Sequence, residues 1–296
     1  MEFAIEFHAV SKRFPGGAVA LDNATWRVET GSRVCLLGPR GAGKTTTIRI
    51  LQGALRPTGG SVTLLGVSVL GPGYREARRR VGIVPQVAGM YTDLSAGEYL
   101  ALAGRLYNRN PDPATRALDL HEYLHARMSE LSASFQRRLA LAVALVGRPE
   151  VLLLDEPTAG LEPLAASDLL LYLDRAMEDR TALLCTHSSA EATQLCRRII
   201  PMRAGRVVDE AAWEDERRLK PRLRLSARQG PDRLLAELDN LNRHGEADGE
   251  SVLVEVTDPR EEAAELVGAL VRAGVDVYEC SPVSVPVEVA GAEAPP

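Results

Sequence analysis

No stretch of this sequence is long and apolar enough to cross a bilayer. The longest apolar run, Leu139 to Val146, is eight residues with helical spacing, well short of the ~20 that a membrane-spanning helix needs. Cysteine is scarce: Cys35, Cys185, Cys196 and Cys280 form no C-x-x-C pair and have no histidine at metal-binding spacing, so they read as structural or incidental residues. The start, M-E-F-A-I-E-F-H, has two glutamates and no basic cluster. That does not fit a secretory leader, and residence in the cytoplasm is the expectation. Positive charge is also short: the net charge of −5 argues against a protein held to nucleic acid by bulk electrostatics. No internal repeat, zinc motif or long coiled coil is visible.

What is present is an ordinary globular composition, 45% hydrophobic and 25% charged over 296 residues. That length exceeds the ~100–150 residues of a typical domain and suits one large domain with a smaller appendage. The most informative stretch is R-V-C-L-L-G-P-R-G-A-G-K-T-T-T-I-R-I-L, Arg33 to Leu51. Val34 to Leu37 read as a short buried strand, the glycines break it, and Thr45 to Leu51 resume with helical spacing. Gly38, Gly43, Lys44 and Thr45 complete the pattern G-x-x-x-x-G-K-[ST]. In such a turn, backbone N–H groups and the positive end of the helix dipole converge on phosphate, and Lys44 adds a mobile charge. Pro39, Arg40, Gly41, Ala42 and Thr46 belong to the same cradle, and the Thr45 hydroxyl can reach Mg²⁺. The expectation is an NTP-Mg²⁺ site.

Ahead of the cradle, residues 2–10 alternate as a strand, and S-K-R-F-P-G-G-A turns the chain into a second strandlike run. Phe14, in that turn, offers a flat ring that could stack on a nucleotide base. Beyond the first helix come a glycine-rich turn, a strand, and a basic run, Arg75, Arg78, Arg79 and Arg80, read as a solvated helix face. Val81 to Val84 form a short strand ending at Pro85-Gln86.

Residues of about 88–147 form a helical insertion, including E-Y-L-A-L-A-G-R-L-Y and T-R-A-L-D-L-H-E-Y-L-H-A-R-M as helices. Ser132 or Ser134 can cap the helix that runs on to Val146. Val151 to Leu154 then read as a fully buried parallel strand with Asp155 and Glu156 at its carboxyl end, where such sheets bind ligands. Asp155 suits the metal and Glu156 suits water activation. A second buried strand, Thr181 to Thr186, ends at His187.

After a charged linker over 213–221, residues 222–283 show a β-α-β-β-α-β order like that of a ferredoxin-like module. Residues 284–296 have the composition of a disordered tail. The large domain therefore spans 1–212.

The ordered motifs in residues 3 to about 210 resemble an ATP-binding-cassette ATPase, the nucleotide-binding subunit of an ABC transporter. Gly38–Thr45 match that family's Walker A motif, Gln86 its Q-loop, Leu131–Phe135 its signature, Asp155–Glu156 its Walker B acids, Ala159–Pro163 its D-loop and His187 its switch histidine. The resemblance implies a P-loop α/β core with an antiparallel β subdomain and a helical subdomain. It implies ATP and Mg²⁺ as ligands, with Thr45, Asp155 and Gln86 at the metal and Phe14 against adenine. Two cassettes, identical or not, would clamp ATP between one Walker A and the other's Ser132 and Ser134. Glu156 would polarise water, His187 would contact the γ phosphate, and Gln86 would link the site to a separate transmembrane permease. The chain would thus work at the inner face of the cell membrane, with no nucleic-acid partner.

A cassette with a small α/β appendage resembles the single-cassette subunits of bacterial drug and polysaccharide exporters. Two departures stand out: the signature L-S-G-G-Q is here L-S-A-S-F, and the D-loop aspartate is Glu162. If the former glycine positions need positive φ, the change costs ~1–2 kcal/mol each and slows turnover. Two alternatives stay open: a slow or degenerate ATP-binding cassette in a heterodimer, and a soluble ABC ATPase that transports nothing.

Overall fold

The computed structural model describes residues 2–86, 91–209, 222–241, 243–256 and 259–283. The linker expected over 213–221, the tail over 284–296 and part of the surface between Gln86 and Leu94 lie outside them. Two compact units are present, residues 1–210 and 211–296.

In the first unit, strand β1 (Phe3–Arg13), β2 (Val19–Glu29), β4 (Gly59–Leu64) and β5 (Val67–Ser68) form an antiparallel sheet in the order β2-β1-β4-β5. Along β2 alternate residues from Ala24 to Val28 are buried, and Phe7 of β1 stacks on its cross-strand partner Trp26 with ring centroids 4.3 Å apart. Such a pair adds ~0.5–1.5 kcal/mol beyond its burial.

The second sheet holds β3 (Arg33–Leu37), β6 (Val81–Val84), β7 (Val151–Asp155), β8 (Thr181–Thr186), β9 (Arg198–Arg203) and β10 (Arg206–Val207), ordered β10-β9-β3-β8-β7-β6. Every pair except β9–β10 is parallel. All residues of β7 and β8 are buried, which is why V-L-L-L-D and T-A-L-L-C-T lack polar alternation. Because β3, β7 and β8 are adjacent and parallel, their carboxyl ends lie side by side. Helix α1 (Lys44–Leu51) follows β3, and α2 (Tyr74–Arg78) precedes β6.

Helices α3 (Ala96–Tyr107), α4 (Asp112–Ala117) and α5 (Ala133–Val146) make up the insertion. Ser95 and Glu98 form a reciprocal capping box at the start of α3. The second helix expected there, over T-R-A-L-D-L-H-E-Y-L-H-A-R-M, does not persist. α4 stops at Ala117, Asp119 turns left-handed at φ +48°, and only short 3₁₀ turns follow. Leu118 and Leu120, two apart, are both buried, a spacing that one helix face cannot satisfy. The Arg138 guanidinium then donates to the freed carbonyls of Leu118 (2.9 Å) and Asp119 (3.0 Å). The expected basic helix is likewise a single short element: Arg80 lies beyond it and pairs with Glu150 at 2.5 Å. Helices α6 (Pro163–Ala176) and α7 (Ser189–Leu195) complete the unit.

The second unit runs β11 (Arg222–Ala227), α8 (Pro231–Asn240), β12 (Gly245–Asp248), β13 (Ser251–Glu255), α9 (Pro259–Arg272) and β14 (Val277–Val283). Its antiparallel sheet has the order β12-β13-β11-β14. One face buries Leu223, Leu225, Val252 and Val254 with Leu234, Leu238 and Leu270 of the helices. The other carries ion pairs such as Arg222–Glu246 and Arg224–Asp248, both 2.7 Å.

Candidate functional site

The phosphate loop leaves β3 at Leu37. A side chain at Gly38 would bring its Cβ to 2.1 Å from the Met202 carbonyl oxygen, so only glycine lets the loop pass β9. Gly43 sits at φ +105° as the N-cap of α1, and a Cβ there would lie 2.5 Å from the Ala20 carbonyl oxygen. Both glycines are therefore demanded by close backbone approach, and Gly43 by conformation as well. Ala42 is buried, whereas Pro39, Arg40 and Gly41 are exposed on the loop's rim. Thr45 and Thr46, in the first turn of α1, are half-buried.

Five polar side chains meet at the strand ends. The Lys44 ammonium, buried at 4% exposure, donates to the carbonyls of Gly38 (2.6 Å) and Pro39 (3.0 Å) and lies 3.2 Å from Glu156 Oε1. Glu156 Oε2 is 2.7 Å from His187 Nδ1. The Thr45 hydroxyl donates to Asp155 Oδ1 at 3.2 Å. Asp155 and Glu156 close β7, His187 follows β8, and Lys44 opens α1, so three parallel strands bring residues more than 140 positions apart into one cluster.

Glu156 holds a left-handed backbone, φ +47°, with its N–H donating to the Cys185 carbonyl at 2.8 Å. A non-glycine residue in that region costs on the order of 1 kcal/mol or more, a kind of strain that concentrates at working sites. It turns the chain sharply after Asp155 and sets the two acids to different tasks: Asp155 faces Thr45, Glu156 faces Lys44 and His187.

The electrostatics follow from burial. Asp155 has its carboxyl held above the usual carboxylate range, chiefly by burial, with the charge of Glu156 adding and the Thr45 hydroxyl and Lys44 opposing. The site suits Mg²⁺ on chemical grounds. A hydroxyl and a carboxylate, both hard oxygen donors, already touch, and Mg²⁺ takes few protein oxygens beside phosphate and water.

The other expected site residues stand apart from this cluster among the described contacts. Gln86 is exposed just past β6. Phe14 is half-buried in the β1–β2 turn, with the Lys12 ammonium 5.2 Å from its ring centroid. Ser132 is the N-cap of α5, accepting from the Phe135 N–H at 3.4 Å, and is exposed. Ser134 lies in the first helical turn. Neither Ala133 nor Ser134 has positive φ, because α5 begins at Ala133. The backbone strain that would have followed from losing two glycines does not arise. Phe135 packs on Tyr123 with centroids 3.9 Å apart, and the Arg138 guanidinium lies 4.7 Å from its ring.

Two residues near the site escaped the sequence reading. Arg137, on α5, donates to the Pro85 carbonyl (2.9 Å) and the Ala159 carbonyl (3.4 Å). Its only sequence signal is a second charge beside Arg138 at the start of a helix whose later turns are apolar. Glu191, on the first turn of α7, is buried and has its carboxyl raised by that burial, opposed by a hydrogen bond with Thr186. Ser188 caps that helix by accepting from the Glu191 N–H at 3.3 Å, a local signal that says nothing of the closeness of Glu191 to His187.

Comparison with known proteins accounts for this arrangement. The family described as ABC transporter matches residues 21–159. The Nod factor export ATP-binding protein I of Burkholderia lata is 35% identical, the alignment covering 89% of this chain and 90% of that protein. Among solved structures, a bacterial ABC transporter cassette in dimeric form superposes with a TM-score of 0.64 at 26% identity, covering 69% of this chain and 97% of the other. An ATP-binding subunit of an ABC transporter does so at 0.63 and 28%, covering 73% and 92%. With its phosphate loop, strand-end acids and histidine joined in one cluster, the chain belongs to the ABC transporter family as an ATP-binding subunit that hydrolyses ATP.

Proposed function

We propose that this chain powers an exporter: two cassettes close around ATP, and their closure works a separate membrane subunit. The observation that carries the reading is the likeness to an export ATP-binding protein across nine-tenths of both chains, second unit included. No helix among the described residues is long and apolar enough to cross a membrane, which supports a permease on another chain. The cassette would then work at the inner face of the cell membrane.

In this reading the Lys44 ammonium and the backbone N–H groups of the phosphate loop bind the β and γ phosphates. Thr45 and Asp155 hold Mg²⁺, which supplies charge neutralisation when bound. Glu156, aimed by its left-handed backbone, accepts a hydrogen bond from the attacking water. His187, 2.7 Å from Glu156, orients that carboxylate and reaches the γ phosphate. Gln86 reports on the membrane subunit, and Phe14 stacks on adenine. Ser132, exposed at the start of α5, serves the ATP of a second cassette.

The test is Mg²⁺-ATP turnover of the purified chain beside its Glu156→Gln form, with dimerisation followed in the same samples. Turnover by the wild type and an ATP-trapped dimer of the variant are expected. ATP binding with neither dimer nor turnover would instead assign the chain to a heterodimer with a different cassette. Turnover by a strict monomer would sink the clamp.

A further inference from the structure

From its bonds, we infer that Arg137 is a positioning residue that locks the Q-loop and the D-loop to the helix carrying the signature. The inference rests on the proposed roles of Gln86 and the D-loop and names the residue that coordinates them.

Arg137 lies five residues after Ser132, on the first turns of α5. One guanidinium nitrogen donates to the carbonyl of Pro85, the residue before Gln86, at 2.9 Å. The other donates to the carbonyl of Ala159, three residues before Glu162, at 3.4 Å. One planar group thus spans the end of β6, the loop after β7 and the helix of the insertion. The strands that lead into the two loops pair as β6–β7, with a register that ends at Val84 and Leu154.

The chemistry favours rigidity. A guanidinium presents its donors in a fixed fork, so holding one carbonyl sets the direction to the other. Arg137 is partly buried, and burial lowers its pKa while the charge of Asp155 opposes that shift. Among the described residues it forms no ion pair, so its charge is satisfied by two backbone oxygens and the field of the metal-binding acid. A salt bridge on the surface would be loose; a partly buried charge held on two carbonyls is less so.

The consequence is mechanical. A shift of α5, as when Ser132 engages a nucleotide, moves Pro85 and Ala159 together. A push on the Q-loop reaches the D-loop and the signature by the same route. No atom of Arg137 bonds to Lys44, Thr45, Asp155, Glu156 or His187 in the structure. Its loss should therefore spare ATP binding and damage turnover.

The test uses the full chain with Arg137→Ala and Arg137→Lys. In hydrogen exchange without nucleotide, Arg137→Ala should speed exchange about tenfold in peptides holding Pro85–Gln86 and Ala159–Leu161, with little change in the second unit. Arg137→Lys has a single ammonium and should restore protection at one loop but not both. In steady-state kinetics, Arg137→Ala should lower kcat by about tenfold and leave the KM for ATP within twofold, as misplacement of loops outside the binding pocket does.

Unchanged exchange at both loops would overturn the inference, and so would a uniform rise across the first unit, which marks general destabilisation. Equal rescue of both loops by Arg137→Lys would show that charge alone matters. If wild-type protein alone bound ATP without turning it over, the chain would be assigned to a heterodimer as above, while the exchange experiment would still decide the tie.

Discussion

At the carboxyl ends of β3, β7 and β8, Lys44, Asp155, Glu156, His187 and Thr45 satisfy one another within 3.2 Å. At the start of α5, Ser132 is exposed and bonded to its own helix. The first region is finished by the fold of one chain, because parallel neighbours bring its parts together. The second leaves a helix N-terminus, with its positive dipole, exposed. On the proposed reading, one half of an ATP site is internal and pre-organised, and the other is offered to a second cassette.

Four substitutions would break or sharpen that contrast. The largest effect belongs to Glu156→Gln, which keeps the shape of the side chain and removes its basicity. Turnover should fall by ~10²–10⁴, the usual contribution of a positioned base, while ATP affinity holds. A coupled phosphate-release assay and nucleotide binding decide it, and a fall in affinity of the same size would mean that Glu156 serves binding instead.

Ser132→Ala comes next. Its turnover should drop by roughly tenfold in the dimer, the scale of one lost hydrogen bond to a charged phosphate. The monomer should lose only ~1 kcal/mol of cap energy in chemical denaturation. If monomer stability fell and turnover did not, Ser132 would be a helix cap and nothing more.

Phe135→Gln tests the packing beneath the offered helix end. Removing the ring from between Tyr123 and Arg138 should cost about 1–2 kcal/mol, summing an aromatic pair and a cation–π contact. A urea titration would read it. Stability equal to wild type would mean that the ring is only a surface filler.

The smallest shift concerns Asp155. Burial raises its pKa in the folded chain, so the native state binds that proton more tightly than the unfolded state does. The ionised carboxylate therefore costs stability above the raised pKa, and the cost fades as pH falls toward the ordinary carboxylate value. Asp155→Asn should raise the nucleotide-free Tm at neutral pH by about 2–4 °C, ~1 kcal/mol in a unit this size. The gain should close near pH 4. A lower Tm at every pH would mean that Lys44 and Thr45 stabilise the charge more than burial opposes it.

Much of this is legible in the sequence. Lys44 and Thr45 are local to a glycine-broken turn, and the run Val151 to Leu154 could only be a strand buried on both faces. Acids and a histidine at the ends of such strands have one place to go. The helix expected through Leu118 to Met128 failed for a tertiary reason, since two buried leucines and the Arg138 guanidinium together stabilise a break that local propensity does not encode.

By itself, then, the sequence determined the phosphate loop and the buried strands with the acids and histidine at their ends, because each follows from spacing within a dozen residues. Tertiary structure alone decided the rest. That Glu156 turns left-handed between Lys44 and His187, that Ala133 and Ser134 carry no glycine-like strain, and that Arg137 joins Pro85 to Ala159 are consequences of non-local approach. Hydrogen bonds between segments 22 and 52 residues apart have no signature in the chain that makes them.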